Sequence, residues 1–238
     1  MDNKLKIQIW SDVMCPYCYI GKRRIEGAIA KFGHQNAIEI EWKSFQLDSS
    51  FKASPEDNLY DHLAEKYRKD RDWAVEMVEN MTQNAKNSGL DFQLGNAILA
   101  NSYKAHRLLH LAKKHNVGDE LKELLFKAYM TEGKNVDDTD TLIALGEAVG
   151  MEKELVEGVL NSDAYGQEVK NDIAMAQQIG VQGVPFFVFD NKYAVSGAQH
   201  EETFVKTLEK VWEEGSFGPQ LTVLNANEGD SCGIDGCN

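Results

Sequence analysis

Two cysteines separated by Pro16 and Tyr17, in Cys15-Pro16-Tyr17-Cys18, are the residues best suited to chemistry in this chain. A thiolate is the attacking species in disulfide exchange, and an ordinary thiol ionises near ~8.5. A helix N-terminus presents unpaired N–H groups and about half a positive charge, which stabilises a thiolate placed there. With two residues between them, the second sulfur sits one helical turn on and can attack a mixed disulfide formed by the first. Cys15 is then expected to be the exposed, attacking thiol and Cys18 the buried, resolving one. Lys22, Arg23 and Arg24 follow, either as extra positive charge or as a solvated face.

This chemistry requires a strand that delivers the pair and a helix that starts on it. Leu5, Ile7 and Ile9 alternate with polar neighbours from Lys4 to Trp10, which predicts a strand turned by Ser11-Asp12-Val13-Met14. Pro16 suits a first helical turn, where its missing N–H costs nothing. Ile20, Ile25, Ala28, Ile29 and Phe32 recur near helical spacing, and Gly33 suits the stop. Ala37–Leu47 alternates again, which completes a βαβ unit with parallel strands.

The texture then becomes helical for about 100 residues. Ser54-Pro55-Glu56-Asp57 reads as a helix start, and helical stripes follow at Leu59–Tyr67, Trp73–Ala85, Ala97–His115, Glu120–Met130, Asp140–Val149, Glu152–Leu160 and Asp163–Ile179. Strand texture returns at Phe186–Phe189. Asp190-Asn191-Lys192 reads as a turn into Tyr193–Val195, and Glu201–Glu214 as a last helix ended by Gly215. The plain account is an α/β core carrying an all-helical insertion.

Composition narrows the function classes. The 238 residues are 42% apolar and 26% charged, with a net charge of −13. That acidity argues against a nucleic-acid partner, whose phosphates need a basic face. No apolar run is long enough for a membrane span, and Met1–Leu5 leads straight into a strand without an apolar leader. A cytoplasmic location is expected. The four cysteines fall in two close pairs, Cys15/Cys18 and Cys232/Cys237, and in a reducing compartment such pairs are more often catalytic, redox-sensing or metal-binding than structural. Together they supply the four ligands of a zinc site, although the four-residue gap in the second pair is loose for one. Glycines inside Cys232-Gly233-Ile234-Asp235-Gly236-Cys237 permit a small disulfide loop. The segment from Gly215 to Cys232 spans up to ~55 Å when extended, enough to bring this second redox pair to Cys15. His106 and His110 share a helix face at a spacing compatible with a metal, but the glutamate of the zinc-protease motif is absent.

Gly183-Val184-Pro185-Phe186 carries a proline at the start of a strand, an awkward place unless its N–H was not needed. With it, the order strand, CPYC, helix, strand, helical insertion, helix, Val-Pro, hairpin, helix resembles the DsbA-like branch of the thioredoxin superfamily. Trp10–Asp12 through Arg24, Ala105–Leu108, Gly180–Phe189 and Ala194–Gln199 are similar to FrnE-type oxidoreductases over about residues 4–213. The resemblance implies a thioredoxin-like domain from 1–50 and 162–214, an insertion at 51–161 and a tail at 215–238. It also implies that Pro185 is cis and faces the cysteines, with the Val184 backbone binding extended substrate chain. Pro16 and Tyr17 are expected at the substrate, and Asn101, Ser102, His106 and Arg107 over Cys15. Substrates would be disulfide-containing proteins or small thiols, glutathione among them as a redox partner, with no metal or organic cofactor needed. The same fold resembles kappa-class glutathione transferases and 2-hydroxychromene-2-carboxylate isomerases. Those carry serine where this chain has Cys15, so a glutathione-dependent isomerase or transferase is the alternative, and a four-cysteine zinc module a further one.

Overall fold

The computed structural model describes residues 4–54 and 57–215, together with the backbone of 232–233 and 236–237. A four-stranded sheet is its frame, in the order β2-β1-β3-β4. β1 (Leu5–Ser11) pairs parallel with β2 (Ile38–Ser44) and antiparallel with β3 (Phe186–Phe189), which pairs antiparallel with β4 (Tyr193–Ser196). The β3–β4 turn is the expected one: Asp190 and Asn191 both take positive φ, and Lys192 N–H closes on the Phe189 carbonyl at 2.9 Å.

The period-2 alternation of β1 separates the two layers. Leu5, Ile7 and Ile9 face a core built with α1 (Pro16–Phe32) and α9 (Glu201–Glu214). Trp10 points the other way, onto Ala176 of α8 (Gly166–Gln178), and its indole N–H donates to the Asp172 carbonyl at 2.9 Å. Between β2 and α8 come six helices: α2 (Leu59–Tyr67), α3 (Arg71–Asn87), α4 (Tyr103–Lys114), α5 (Gly118–Met130), α6 (Thr139–Ala148) and α7 (Lys153–Leu160). Their apolar stripes form the largest core, and that core includes Val13, Cys15, Cys18, Tyr19 and Ile20. The start of α1 therefore lies inside the seam between sheet and insertion. β5 (Cys232–Gly233) and β6 (Gly236–Cys237) make a separate antiparallel pair.

Two helix starts differ from the sequence reading. α2 begins at Leu59 because Asn58 caps it, accepting from Asp61 N–H at 3.0 Å, while Asp57 turns back to accept from Ser54 N–H. Pro55 and Glu56 lie outside the described residues. α4 begins at Tyr103 rather than Ala97. The Asn101 side chain accepts from Tyr103 N–H and donates to the Ser49 and Phe51 carbonyls, which pins 97–102 as a non-helical strap over the chain leaving β2.

Phe204 is fully buried where α9 docks, with its ring 4.7 Å from that of Phe187 in an edge-on contact. Phe204→Ala is expected to lower the unfolding free energy by about 3–5 kcal/mol, read by denaturant titration, while leaving the distant cysteine pair reactive.

Candidate active site

α1 starts on the cysteines as its sequence demands. Cys15 is the N-cap residue in extended conformation, Pro16 takes the first helical position, and Gly33 closes the helix with φ +83°. Cys15 N–H donates to the Asp12 carbonyl at 3.2 Å, so the Ser11–Met14 turn aims the first thiol at the end of the sheet. There the Val184–Pro185 bond is cis, and the Cys15 thiol lies 3.6 Å from the Val184 carbonyl oxygen. Pro185 is held from two sides. Its carbonyl accepts from Gly197 N–H at 2.8 Å, and its ring rests on Gly21 of α1 so closely that an added Cβ would stand 3.0 Å from Pro185 Cγ. The expected trio of Cys15, Cys18 and Pro185 is thus one site.

Cys15 is less exposed than expected. It is 5% exposed against 0% for Cys18, because the insertion closes over the start of the helix. The bond to Cys18, burial, and charge on Cys18 and Asp12 together push the Cys15 thiol up.

Asp12 is buried behind the thiols. Its carboxylate accepts from Leu47 N–H at 2.8 Å and Met14 N–H at 3.4 Å, and its Oδ1 lies 3.4 Å from His106 Nε2. Burial opposes its charge, but the His106 bond, the Leu47 N–H and the Ser102 hydroxyl outweigh that and hold it below the usual carboxylate range. His106 is driven the other way: burial pushes it down despite Asp12. The pair is therefore a carboxylate and a neutral imidazole donating from Nε2, which leaves buried Nδ1 without a hydrogen-bond partner among the described residues. Neither residue stood out from sequence spacing as part of such a pair.

A groove of about 300 Å³ opens over Cys15, and Pro16, Tyr17 and Val184 line it as expected. Its floor is apolar, from Leu59, Leu63, Met77 and Met81 of α2 and α3, whose stripes read only as helix packing in the sequence. Tyr17, 44% exposed, forms part of its rim. Ser102 reaches the groove, whereas His106 lies behind Asp12, and Arg107 turns away to the carbonyls of Leu160, Ser162 and Ala164. The placing of His106 and Arg107 over Cys15 is corrected accordingly. His110 lies away from the groove and meets Ser44 and Asp172, each at 3.2 Å. No group of three metal-ligating side chains forms among the described residues. The basic run is spent on packing. Lys22 pairs with Glu26, Asp119 and Glu123, Arg23 with Glu26 and Glu123, and Arg24 with the Ala198 carbonyl. These contacts tie α1 to α5 and to the loop after β4. Cys232 stands opposite Cys237 in the β5–β6 register, and residues 216–231, 234 and 235 lie outside the described residues.

The Asp12–His106 pair makes stability fall on acidification. Below the ordinary 6.5 of a free imidazole, the unfolded chain takes up a proton that folded His106 refuses, so stability is lost as pH falls. Below the ordinary 3.8 of a carboxyl, Asp12 adds a second loss as pH drops through its lowered folded value. Denaturant titrations across pH should show His106→Gln removing the upper part of this decline and weakening the lower part, because His106 is the main support of the Asp12 charge.

A family model described as a DSBA-like thioredoxin domain matches residues 6–209. A probable DsbA oxidoreductase from Streptomyces coelicolor is 34% identical, with a TM-score of 0.83 and 98% of both chains covered. An uncharacterized Bacillus subtilis protein, YwbO, is 26% identical over 85% of this chain and 94% of its own. The cytosolic disulfide reductase DsbM from Pseudomonas aeruginosa, 12% identical with a TM-score of 0.61, shares the fold over 89% of this chain and 100% of its own. With the cysteine pair at the mouth of α1 and the cis proline beside it, this chain belongs to the DsbA-like thioredoxin-domain family of thiol oxidoreductases.

Proposed function

We propose that the chain is a thiol–disulfide oxidoreductase or isomerase that works through Cys15 and Cys18. The observation that carries this is the Cys15 thiol at the N-cap of α1, 3.6 Å from the Val184 carbonyl beside cis Pro185, at the end of an open apolar groove. The Cys15 thiolate attacks one sulfur of a substrate disulfide; that S–S bond breaks and the other substrate sulfur leaves as a thiolate. Cys18 then attacks Cys15 Sγ, forming the internal disulfide and releasing the second substrate thiolate. The reverse sequence oxidises a dithiol substrate. No metal or organic cofactor enters either direction.

The groove suits an apolar chain. Its methionines have unbranched, polarisable side chains that adapt to varied partners, and an extended peptide can lie along the Val184 backbone. Disulfide-containing proteins are therefore the proposed substrates, with glutathione as a small-thiol partner. The FrnE-type assignment within the family, and with it a reducing, cytoplasmic setting, is supported by the resemblance at Trp10–Arg24, Ala105–Leu108, Gly180–Phe189 and Ala194–Gln199. The glutathione-dependent isomerase reading shares the groove but gives no work to Cys18.

Reduction of insulin disulfides separates these readings. Cys15→Ser is expected to abolish turnover, and Cys18→Ser to trap a mixed disulfide on Cys15. Tight glutathione binding by the native protein without dithiol turnover would favour the isomerase reading instead. We further propose that Cys232 and Cys237 form a second redox pair exchanging with the first, supported by their facing positions in the β5–β6 register. Mass spectrometry of thiol states in graded glutathione buffers should show Cys232→Ser moving the titration of Cys15/Cys18. An unchanged titration and unchanged turnover would rule the exchange out.

A further inference from the structure

Acids outnumber lysines and arginines by 38 to 25 along the chain, yet one cavity is lined the other way. It encloses about 850 Å³ between the chain leaving β2, the start of α4 and the first turns of α8, and each of these segments contributes a lysine: Lys52, Lys104 and Lys170. Asp137 is the one acid among the described residues that line it. Lys104 already claims that residue, donating to its carbonyl at 2.8 Å and standing 3.2 Å from its carboxylate. Lys52 and Lys170 pair with no carboxylate among the described residues. Three cations around one space, in a chain of net charge −13, favour an anionic ligand there.

Charge is only part of the lining. Phe51 and Tyr103 bring half-buried rings, and Val169 and Ile173 of α8 bring an aliphatic wall. A free phosphate would use the lysines and leave these surfaces idle. A flat apolar body that carries phosphates uses both, and that is the chemistry of a nucleotide.

The cavity adjoins the groove over Cys15. Phe51 lines both spaces. Asp48 and Ser102 face the groove, while their chain neighbours Ser49 and Asn101 face the cavity. Asn101 fixes this shared sill by donating to the Ser49 and Phe51 carbonyls at 3.3 and 3.0 Å. A ligand whose head lies among the lysines therefore has a path past Phe51 to the first thiol, over the apolar floor of the groove.

We propose that the small disulfide reduced at this site is one whose thiol hangs by a flexible arm from a nucleotide, as in coenzyme A. This rests on the dithiol reading above and names its small-thiol substrate. The phosphates meet Lys52, Lys104 and Lys170, the base lies against Phe51 and Tyr103, and the arm crosses the sill. The Cys15 thiolate attacks one sulfur of coenzyme A disulfide; that S–S bond breaks and the first coenzyme A leaves as a thiolate. Cys18 then attacks Cys15 Sγ, the bond from Cys15 to the second coenzyme A breaks, and the internal disulfide forms. One disulfide is reduced to two thiols, the Cys15/Cys18 dithiol is oxidised, and the two protons of the dithiol end on the released thiols.

The test follows a single turnover of reduced protein with three disulfides, quenched in acid and read by mass spectrometry of the protein. They are coenzyme A disulfide, pantethine, which has the same arm and disulfide without the nucleotide, and oxidised glutathione. Repulsion by the net charge of −13 would by itself slow the anionic coenzyme A disulfide, so the sign of the difference is diagnostic. Coenzyme A disulfide should react about tenfold faster than pantethine at low salt, with the ratio shrinking as salt is added. Lys52→Gln combined with Lys170→Gln should bring that ratio to one or below. Lys192→Gln combined with Lys206→Gln, the same change of net charge on the β3–β4 turn and α9, should leave it in place. The phosphorylated adenosine fragment of coenzyme A, which has no thiol, should compete with coenzyme A disulfide and not with pantethine. A native ratio at or below one, a ratio that both lysine pairs move equally, or inorganic phosphate competing as well as the adenosine fragment would each overturn the proposal. So would an equal, lysine-dependent gain for an acidic disulfide-bonded peptide. Oxidation by pantethine and glutathione with no gain for coenzyme A disulfide overturns this proposal alone, whereas oxidation by none of the three overturns the dithiol reading with it.

Discussion

The carboxylate of Asp12 is the pin on which the site hangs. It ends the turn after β1, accepts the Leu47 N–H of the chain leaving β2, and meets His106 of α4 in the insertion. Three parts of the chain far apart in sequence converge on one buried charge. Hydrogen bonds to an ionised group are worth about 1.5–3 kcal/mol, and leaving such a group unpaired in a dry seam costs more than any of them contributes. The arrangement is therefore close to all-or-none. With the partners in place, the carbonyl of the same residue holds Cys15 N–H and so sets where the first thiol points.

That pin also explains why the insertion is chemically necessary and not just a cover. A DsbA-like sheet with α1 alone would leave the start of the helix wet. Here α2 and α3 shape the groove, α4 brings His106 to Asp12, and α5 stacks Phe126 on Tyr19 of α1. The ion-pair web from Lys22 and Arg23 to Asp119 and Glu123 keeps α5 in register with α1. Lys22 is buried at the centre of this web, and such a pair does less for net stability than for orientation, here of α5 on α1.

Much of this was legible in the chain. Alternation at Leu5, Ile7 and Ile9 gave β1 its face, Asp190-Asn191 gave the hairpin, and CPYC with Val184-Pro185 gave the site and the DsbA-like fold. These signals are local or carried by residue types with few other uses. What escaped was settled by long-range contact. The start of α4 was moved by Asn101 reaching the Ser49 and Phe51 carbonyls, which no helical period records. His106 reads equally well as a groove residue until Asp12 is seen to claim it. Lys122 did leave a trace: it falls on the buried stripe of Leu121, Leu125, Phe126 and Tyr129, a charge on an apolar face. Helical spacing shows that such a residue is buried, but only the fold shows what it is buried against.

Burial of both cysteines sets the terms for everything around them. A fully wet pair would exchange its protons with solvent and be attacked from any side. Closing the insertion over α1 restricts the first attack to what the groove admits. An apolar residue at 122 would pack at least as well against Trp42 and Phe126, so packing alone does not account for the lysine there.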